Sequence, residues 1–277
     1  MISNPKGPYP GRQLFLGLTA DRKPCLAYLV TGRSPESRQR KAVKVDNTVR
    51  IGPVESIPYD PLRHYTAVKY DNNTGIVAVS NGIQTESIYE TYRLLFNVGA
   101  PFTPEKIEKL PKDPFGLPKS PFSWSYMKNL LDGADAEPDS LHTPRIAGVL
   151  IANLDKPLFI VGIKTYNSPA LAYAMMPAPG MMVGISTYKG DLDNPAPTDP
   201  NDFPANPNSA DRTGPAKYVL DISTRTYKGE PKRVPLEIAK YLYDISAASY
   251  KGDDIRVCAV GGIYSGSSWD IAIVNKH

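Results

Sequence analysis

Two short stretches, GIVAVS at 75–80 and RIAGVLIA at 145–152, are apolar at consecutive positions and not at alternate ones. A strand of that kind must be covered on both faces. The flanking turns narrow the choice further. YTAVKY at 65–70 meets the first stretch across the cluster DNNTG, and the second turns back at LDKP into LFIVGIKTY, so each reads as half of a hairpin. Hairpins join antiparallel neighbours. A chain built this way stacks one antiparallel sheet on another and keeps its helices outside.

The rest of the chain fits that plan. In RQLFLGLTA, Leu14, Leu16 and Leu18 alternate; CLAYLVTG follows, and KAVKVDNTVRI turns at Asp46-Asn47. Later runs, from ALAYAMM and MMVGISTY to IRVCAVGGIY and SWDIAIVN, bring the count to about ten strands. Three segments have helical spacing: 85–99, with Thr85 as N-cap and Gly99 as stop, then 125–135 and 234–249. A short helix is expected at 103–110, capped by Thr103 with Pro104 in its first turn. The fold class is therefore α+β with two mainly antiparallel sheets. Residues 1–277 read as a single domain, interrupted by insertions at 100–125, dense in Pro and Lys, and at 191–215, dense in Pro, Asn and Asp.

Composition excludes several classes. Charged residues make up 22% and the apolar set 41%, as in ordinary globular chains. No apolar run reaches the roughly 18 residues of a membrane span, and MISNPKGPYPGRQLF lacks the apolar core of a secretory signal. Cys25 and Cys258 lie in apolar runs and read as buried thiols of a cytoplasmic protein. No Cys/His spacing suits zinc. A net charge of +4 suits an anionic small molecule, and there is no basic block interleaved with aromatics to suggest nucleic acid.

Several groups of residues carry chemistry. Arg33, Arg38 and Arg40 follow the glycine that ends an apolar run, in TGRSPESRQR. Guanidinium forks match phosphate, and Ser34 and Ser37 add hydroxyl donors; the alternative is a solvated turn between strands. Asn81-Gly82 ends a buried strand, where glycine permits close backbone approach, either to a ligand or at a plain strand–helix junction. Thr143 and Arg145 flank Pro144 at the mouth of a doubly covered strand. An arginine there needs a partner: Asp135, Glu137, Asp139 or a ligand. Tyr65 opens a strand and reads first as a packing residue. Gly261-Gly262 has no lysine in phosphate-loop spacing. The tetrad Tyr-Lys-Gly-acid occurs at 188–191, 227–230 and 250–253, and a shared turn accounts for it.

Taken in order, GRQLFLG, AYLVTGRSPESR, AVSNGIQTE, DAEPDSLHTPRIAG, GISTY and SWDIA resemble the archaeal-type IMP cyclohydrolase family. The two insertions, and His142 where the family pattern has Asn, are departures. The resemblance implies a four-layer α-β-β-α sandwich like that of N-terminal-nucleophile hydrolases. It also implies closure of 5-formamidoimidazole-4-carboxamide ribotide to inosine monophosphate, with no cofactor and no metal. Carried over, the catalytic residues fall on Tyr65, Glu137 and Arg33. Arg33, Arg38, Asn81, Gly82, Thr143 and Arg145 are the candidates for substrate contacts. The expected partner is a small purine ribotide, not nucleic acid or membrane; self-association is left open. Two competitors share the fold. An N-terminal-nucleophile amidohydrolase needs Cys, Ser or Thr as its first processed residue, whereas this chain begins Met1-Ile2 with Cys25 in mid-strand. A non-catalytic nucleotide-binding protein would keep the arginines and displace Tyr65 or Glu137.

Overall fold

The computed structural model describes residues 9–56, 58–97, 123–154, 156–199, 218–222 and 233–277. The helix expected at 103–110, the Gly99 stop, most of the 100–125 insertion, the 200–215 part of the second insertion and the tetrad at 227–230 lie outside the described residues.

Alternating and doubly apolar runs form strands as expected, in two main antiparallel sheets. One contains β1 (Arg12–Leu18), β2 (Pro24–Thr31), β10 (Met181–Ser186), β13 (Tyr218–Asp221), β16 (Arg256–Tyr264) and β17 (Trp269–Asn275), in the order β13-β10-β1-β2-β16-β17. The other is a meander in chain order. It runs through β3 (Arg40–Val45), β4 (Thr48–Pro53), β5 (Tyr65–Tyr70), β6 (Ile76–Ser80), β7 (Arg145–Ile151), β8 (Leu158–Lys164) and β9 (Leu171–Met175). Two small hairpins stand apart: β11 (Tyr188–Gly190) with β12 (Pro195–Pro197), and β14 (Ser249–Tyr250) with β15 (Asp253–Asp254). The start of the 191–215 segment is thus a short hairpin strand and not an irregular loop.

The helices are α1 (Pro35–Arg38), α2 (Gln84–Asn97), α3 (Ser123–Ala134) and α4 (Arg233–Ile245). Period-two alternation sorts each strand between two environments. Leu14, Leu16, Leu26 and Tyr28 of the first sheet share one buried cluster with Val77, Val79, Ile146 and Val161 of the second. The alternate residues Phe15, Ala27 and Leu29 pack with Ile238 and Leu242 of α4. Ile76, Ala78, Val149 and Ile160 pack with Ile88, Tyr92, Met127 and Leu131 of α2 and α3. Each Val, Leu, Ile, Phe or Met among them contributes about 1.5–3 kcal/mol by leaving water.

One local expectation is corrected. Thr85 does not cap α2, which begins at Gln84. Its buried hydroxyl turns inward, 3.2 Å from Gly82 O and 2.5 Å from Ser80 Oγ, and so ties the helix start to β6. Gly261 lies inside β16, where a Cβ would meet Pro235 O of α4 at 2.1 Å; its lack of a side chain lets that helix lie on the sheet.

Antiparallel pairing brings one end of both sheets together. The starts of β1, β5, β7 and β16 and the ends of β2, β6, β8 and β10 all lie there, as the pairs Arg12↔Val30, Gln13↔Ser186, Arg256↔Thr31, Ile51↔Tyr65, Ser80↔Ala147 and Arg145↔Lys164 require. The arginine segment crosses from β2 to β3 at this end. Ser34 caps α1 by accepting from Ser37 N, and Pro35 occupies its first turn.

Gly261→Ala is expected to lower the unfolding free energy by about 1–3 kcal/mol, because backbone must move. Gly52→Ala, whose Cβ would meet nothing within 4 Å, serves as control. Urea unfolding of both variants measures the difference, and equal midpoints would refute the packing argument.

Candidate functional site

A cleft of about 710 Å³ opens at the shared end of the sheets. Five arginines and one lysine line it against four carboxylates, so it favours an anion.

Glu137 sits at its floor, 2% exposed. Its Oε1 accepts from Arg12 Nη2 at 2.5 Å, Arg145 Nη1 at 3.2 Å and Asn81 Nδ2 at 3.2 Å. Among the described residues, Oε2 accepts no hydrogen bond, which leaves it available to a ligand. The Arg12 Nε, buried and without a partner, is a second available group. Burial works against the Arg12 charge, but Glu137 beside it holds the guanidinium pKa above its ordinary value. Burial lowers the pKa of Arg145. Arg145 packs against Gly82, where a Cβ would lie 2.1 Å from its Nη1. Asn81 also donates to Pro144 O at 2.8 Å and accepts from Ile146 N at 2.8 Å, locking the turn after β6 to β7.

Beside this group two tyrosines meet across the sheets. Tyr28 of β2 and Tyr65 of β5 share a hydrogen bond of 2.9 Å between their hydroxyls. Burial, then Tyr65, pushes the Tyr28 phenol well above its ordinary pKa, so it stays protonated. Neither ring lines the cleft.

The walls come from the arginine segment and the two small hairpins. Arg33 Nη1 donates to Leu192 O at 3.1 Å and Asp193 O at 3.4 Å, with its guanidinium 5.3 Å from the Tyr9 ring and 6.0 Å from the Tyr250 ring. Tyr9 in turn stacks on Tyr188 at 5.5 Å. Arg38 pairs with Asp253 at 2.6 Å and also donates to Arg33 O. Thr143 accepts and donates locally: its N–H and hydroxyl bond Asp139 at 2.8 and 2.5 Å, and its hydroxyl also contacts the Tyr188 hydroxyl.

Of the residues singled out in the sequence, Arg33, Arg38, Glu137 and Thr143 line the cleft. Tyr65, Asn81, Gly82 and Arg145 do not; Asn81 and Arg145 support Glu137, and Gly82 makes room for Arg145. Among the partners considered for Arg145, Glu137 is the one it bonds. Three contributors were missed. Arg12, a charge opening an apolar strand, gave the same signal as Arg145 but was not singled out. Tyr28 gave none beyond its place in an apolar run. The tetrads at 188–191 and 250–253 were read as turns, yet Tyr188, Tyr250, Lys251 and Asp253 all line the cleft.

Neither cysteine resembles a nucleophile. Both are buried and unpaired. Burial raises both thiols, Cys258 to about 12 and Cys25 further. Among the described residues no cluster of His, Cys, Asp and Glu is suited to a metal ion, and no helix is long and apolar enough to cross a membrane.

Glu137→Gln strands two buried guanidinium groups without a counter-charge. Removal of one partner from a buried ion pair costs about 3–5 kcal/mol, and a fall of that size is expected in denaturant titrations. An unchanged midpoint would mean that the Oε1 contacts add no stability.

Comparison with known proteins gives two partial matches. Residues 9–99, which carry Arg12, Tyr28, the arginine segment, Tyr65 and Asn81, match the family model described as IMP cyclohydrolase-like protein. The chain is also 31% identical over 147 residues to a protein of Methanocaldococcus jannaschii named IMP cyclohydrolase, a match that spans 52% of this chain and 58% of that protein. The chain is thus similar to IMP cyclohydrolase-like proteins over part of its length, and it spans 58% of the curated relative it matches.

Proposed function

We propose that this protein closes the second ring of 5-formamidoimidazole-4-carboxamide ribotide to give inosine monophosphate and water. The observation that carries the proposal is Glu137, fixed through Oε1 by Arg12, Arg145 and Asn81 at the floor of an arginine-rich cleft. The same reading takes the chain as one domain and its sheets and helices as an α-β-β-α stack. The three core clusters support that stack.

The chemistry asks little beyond positioning and proton transfer. The carboxamide nitrogen and formyl carbon occupy neighbouring ring substituents, and well-placed intramolecular groups reach effective molarities of about 10⁵–10⁸ M. The carboxamide nitrogen attacks the formyl carbon and loses one proton, while the formyl oxygen gains one. The resulting hydroxyl then leaves as water as the former formamide nitrogen gives up its proton. Glu137 Oε2 takes and returns these protons. The unpartnered Arg12 Nε donates to the developing oxyanion, and Tyr65, held by Tyr28, supports the same charge. Arg12 thereby replaces Arg33 as the preferred cationic donor, since Arg33 is engaged by carbonyls and rings on the wall.

The test is turnover of the formyl ribotide, followed by absorbance of the fused ring. Ring closure is expected without added ATP or folate and undiminished by EDTA. No closure at any enzyme concentration would refute the proposal, and activity lost in EDTA and restored by a metal would refute the proton-transfer mechanism.

One observation favours a second reading. The Tyr65 hydroxyl bonds Tyr28 and does not line the cleft, as a non-catalytic nucleotide-binding protein would allow. Tyr65→Phe separates the two. A contributing hydroxyl predicts a rate loss of up to about 10²–10³ with product affinity unchanged. Native turnover would make Tyr65 a packing residue.

A further inference from the structure

Most arginines around the cleft meet a carboxylate, and Arg33 spends its Nη1 on the carbonyls of Leu192 and Asp193. Arg12 and Arg145 share Glu137, Arg38 holds Asp253 at 2.6 Å, and Arg63 holds Asp60 at 2.7 Å. Arg40 differs. It opens β3, lines the cleft and is only 3% exposed. Its Nε donates to Ser37 O at 2.7 Å. Among the described residues its two terminal nitrogens donate to nothing and no carboxylate pairs with it. A guanidinium withdrawn from water is costly without a counter-charge, and the cleft it borders is where that counter-charge has room.

A second observation lies beside it. His64 is buried, and its Nδ1 accepts from Asp60 N at 3.0 Å, which leaves Nε2 as the N–H donor. That Nε2 is buried without a partner. Burial first, with Arg40 and Arg63 adding to it, holds His64 below the ordinary imidazole pKa. A buried donor without an acceptor and an arginine without a carboxylate therefore stand within electrostatic reach of each other.

We propose that Arg40 anchors the phosphate of the bound ribotide. The planar fork is held by Ser37 at one nitrogen, and the other two match two oxygens of a phosphomonoester. Arg38 and Arg63 already carry carboxylates and Arg33 is engaged by wall carbonyls, so a dianion gains most at Arg40. This deepens the function proposed above and rests on it for the identity of the ligand. The anchoring chemistry holds for any sugar phosphate.

The experiment is calorimetric titration of the full chain with inosine monophosphate, inosine, ribose 5-phosphate and inorganic phosphate. Arg40→Gln is expected to weaken inosine monophosphate by about 10- to 100-fold, the range for charge-assisted hydrogen bonds, and to leave inosine unaffected. Ribose 5-phosphate should show the same dependence on Arg40; inorganic phosphate alone showing it would mean an adventitious anion site and overturn the proposal. Equal losses for inosine and its monophosphate, or no loss for either, would overturn it too. Arg40→Lys covers the chance that Gln disturbs folding. It keeps the charge without the fork, so the preference for monophosphate over inosine should fall several-fold, and an unchanged preference would count against Arg40. Arg40→Met removes a charge that nothing pairs, so the ligand-free protein should melt no lower than the wild type. A drop of more than about 5 °C would make Arg40 a structural residue. Ring closure with an unchanged KM in Arg40→Gln would refute the anchor alone. Sugar-phosphate binding that depends on Arg40, without any ring closure by the wild type, would refute the enzymatic function alone.

Discussion

Glu137 Oε1 is the point on which the functional end of this protein depends. It accepts from Arg12, which opens a strand of one sheet, and from Arg145 and Asn81, which belong to neighbouring strands of the other. The contact joins the two sheets electrostatically where their hydrophobic cluster gives way to the cleft. Such a group is stable only as a set, because removal of one member leaves the others charged and withdrawn from water. Its geometry is correspondingly fixed. One carboxylate oxygen is saturated, the other is left for a ligand, and Arg12 keeps one buried N–H in reserve.

The walls use a different principle. Arg33 and Arg38 are held by carbonyls, rings and Asp253 from the small hairpins, so the arginine segment is ordered by chain elements distant in sequence. A cleft pre-ordered in this way loses little freedom on binding. Most of its positive charge is already balanced. Discrimination for a doubly charged group therefore concentrates where balance is missing: Arg33 spends its Nη1 on wall carbonyls, whereas the terminal nitrogens of Arg40 meet no carboxylate among the described residues.

Much of the fold was legible because periodicity reports burial directly. The two-sided apolar runs at 75–80 and 145–152 are neighbouring central strands of the seven-stranded sheet, and the DNNTG and LDKP turns fall between the expected strand pairs. The helices at 84–97, 123–134 and 233–245 follow the helical spacing within one to four residues at either end. Thr85 was misjudged because a hydroxyl near a helix start serves equally as a cap or as an anchor to the strand beneath, and only packing decides which. The site was half legible. Arg145 needed a partner from its place in an apolar strand, and the same reasoning applied to Arg12. The tetrads at 188–191 and 250–253 gave no signal of function, since nothing local distinguishes a tyrosine that faces a cleft from one that faces a core, and Tyr28 sits in an apolar run like any packing residue.

What the sequence determined by itself is the set of paired strands and the face each residue turns inward, because turn chemistry and two-residue alternation act over a few residues. It also placed an excess of guanidinium groups at one strand crossover. Which carboxylate meets which arginine was decided by the tertiary structure. Arg12 and Glu137 are 125 positions apart and meet only in the folded chain. The same holds for Arg38 with Asp253 and for Tyr28 with Tyr65. Electrostatic pairing in a buried site depends on distances of a few ångströms between groups remote in the chain, and no local pattern encodes those distances.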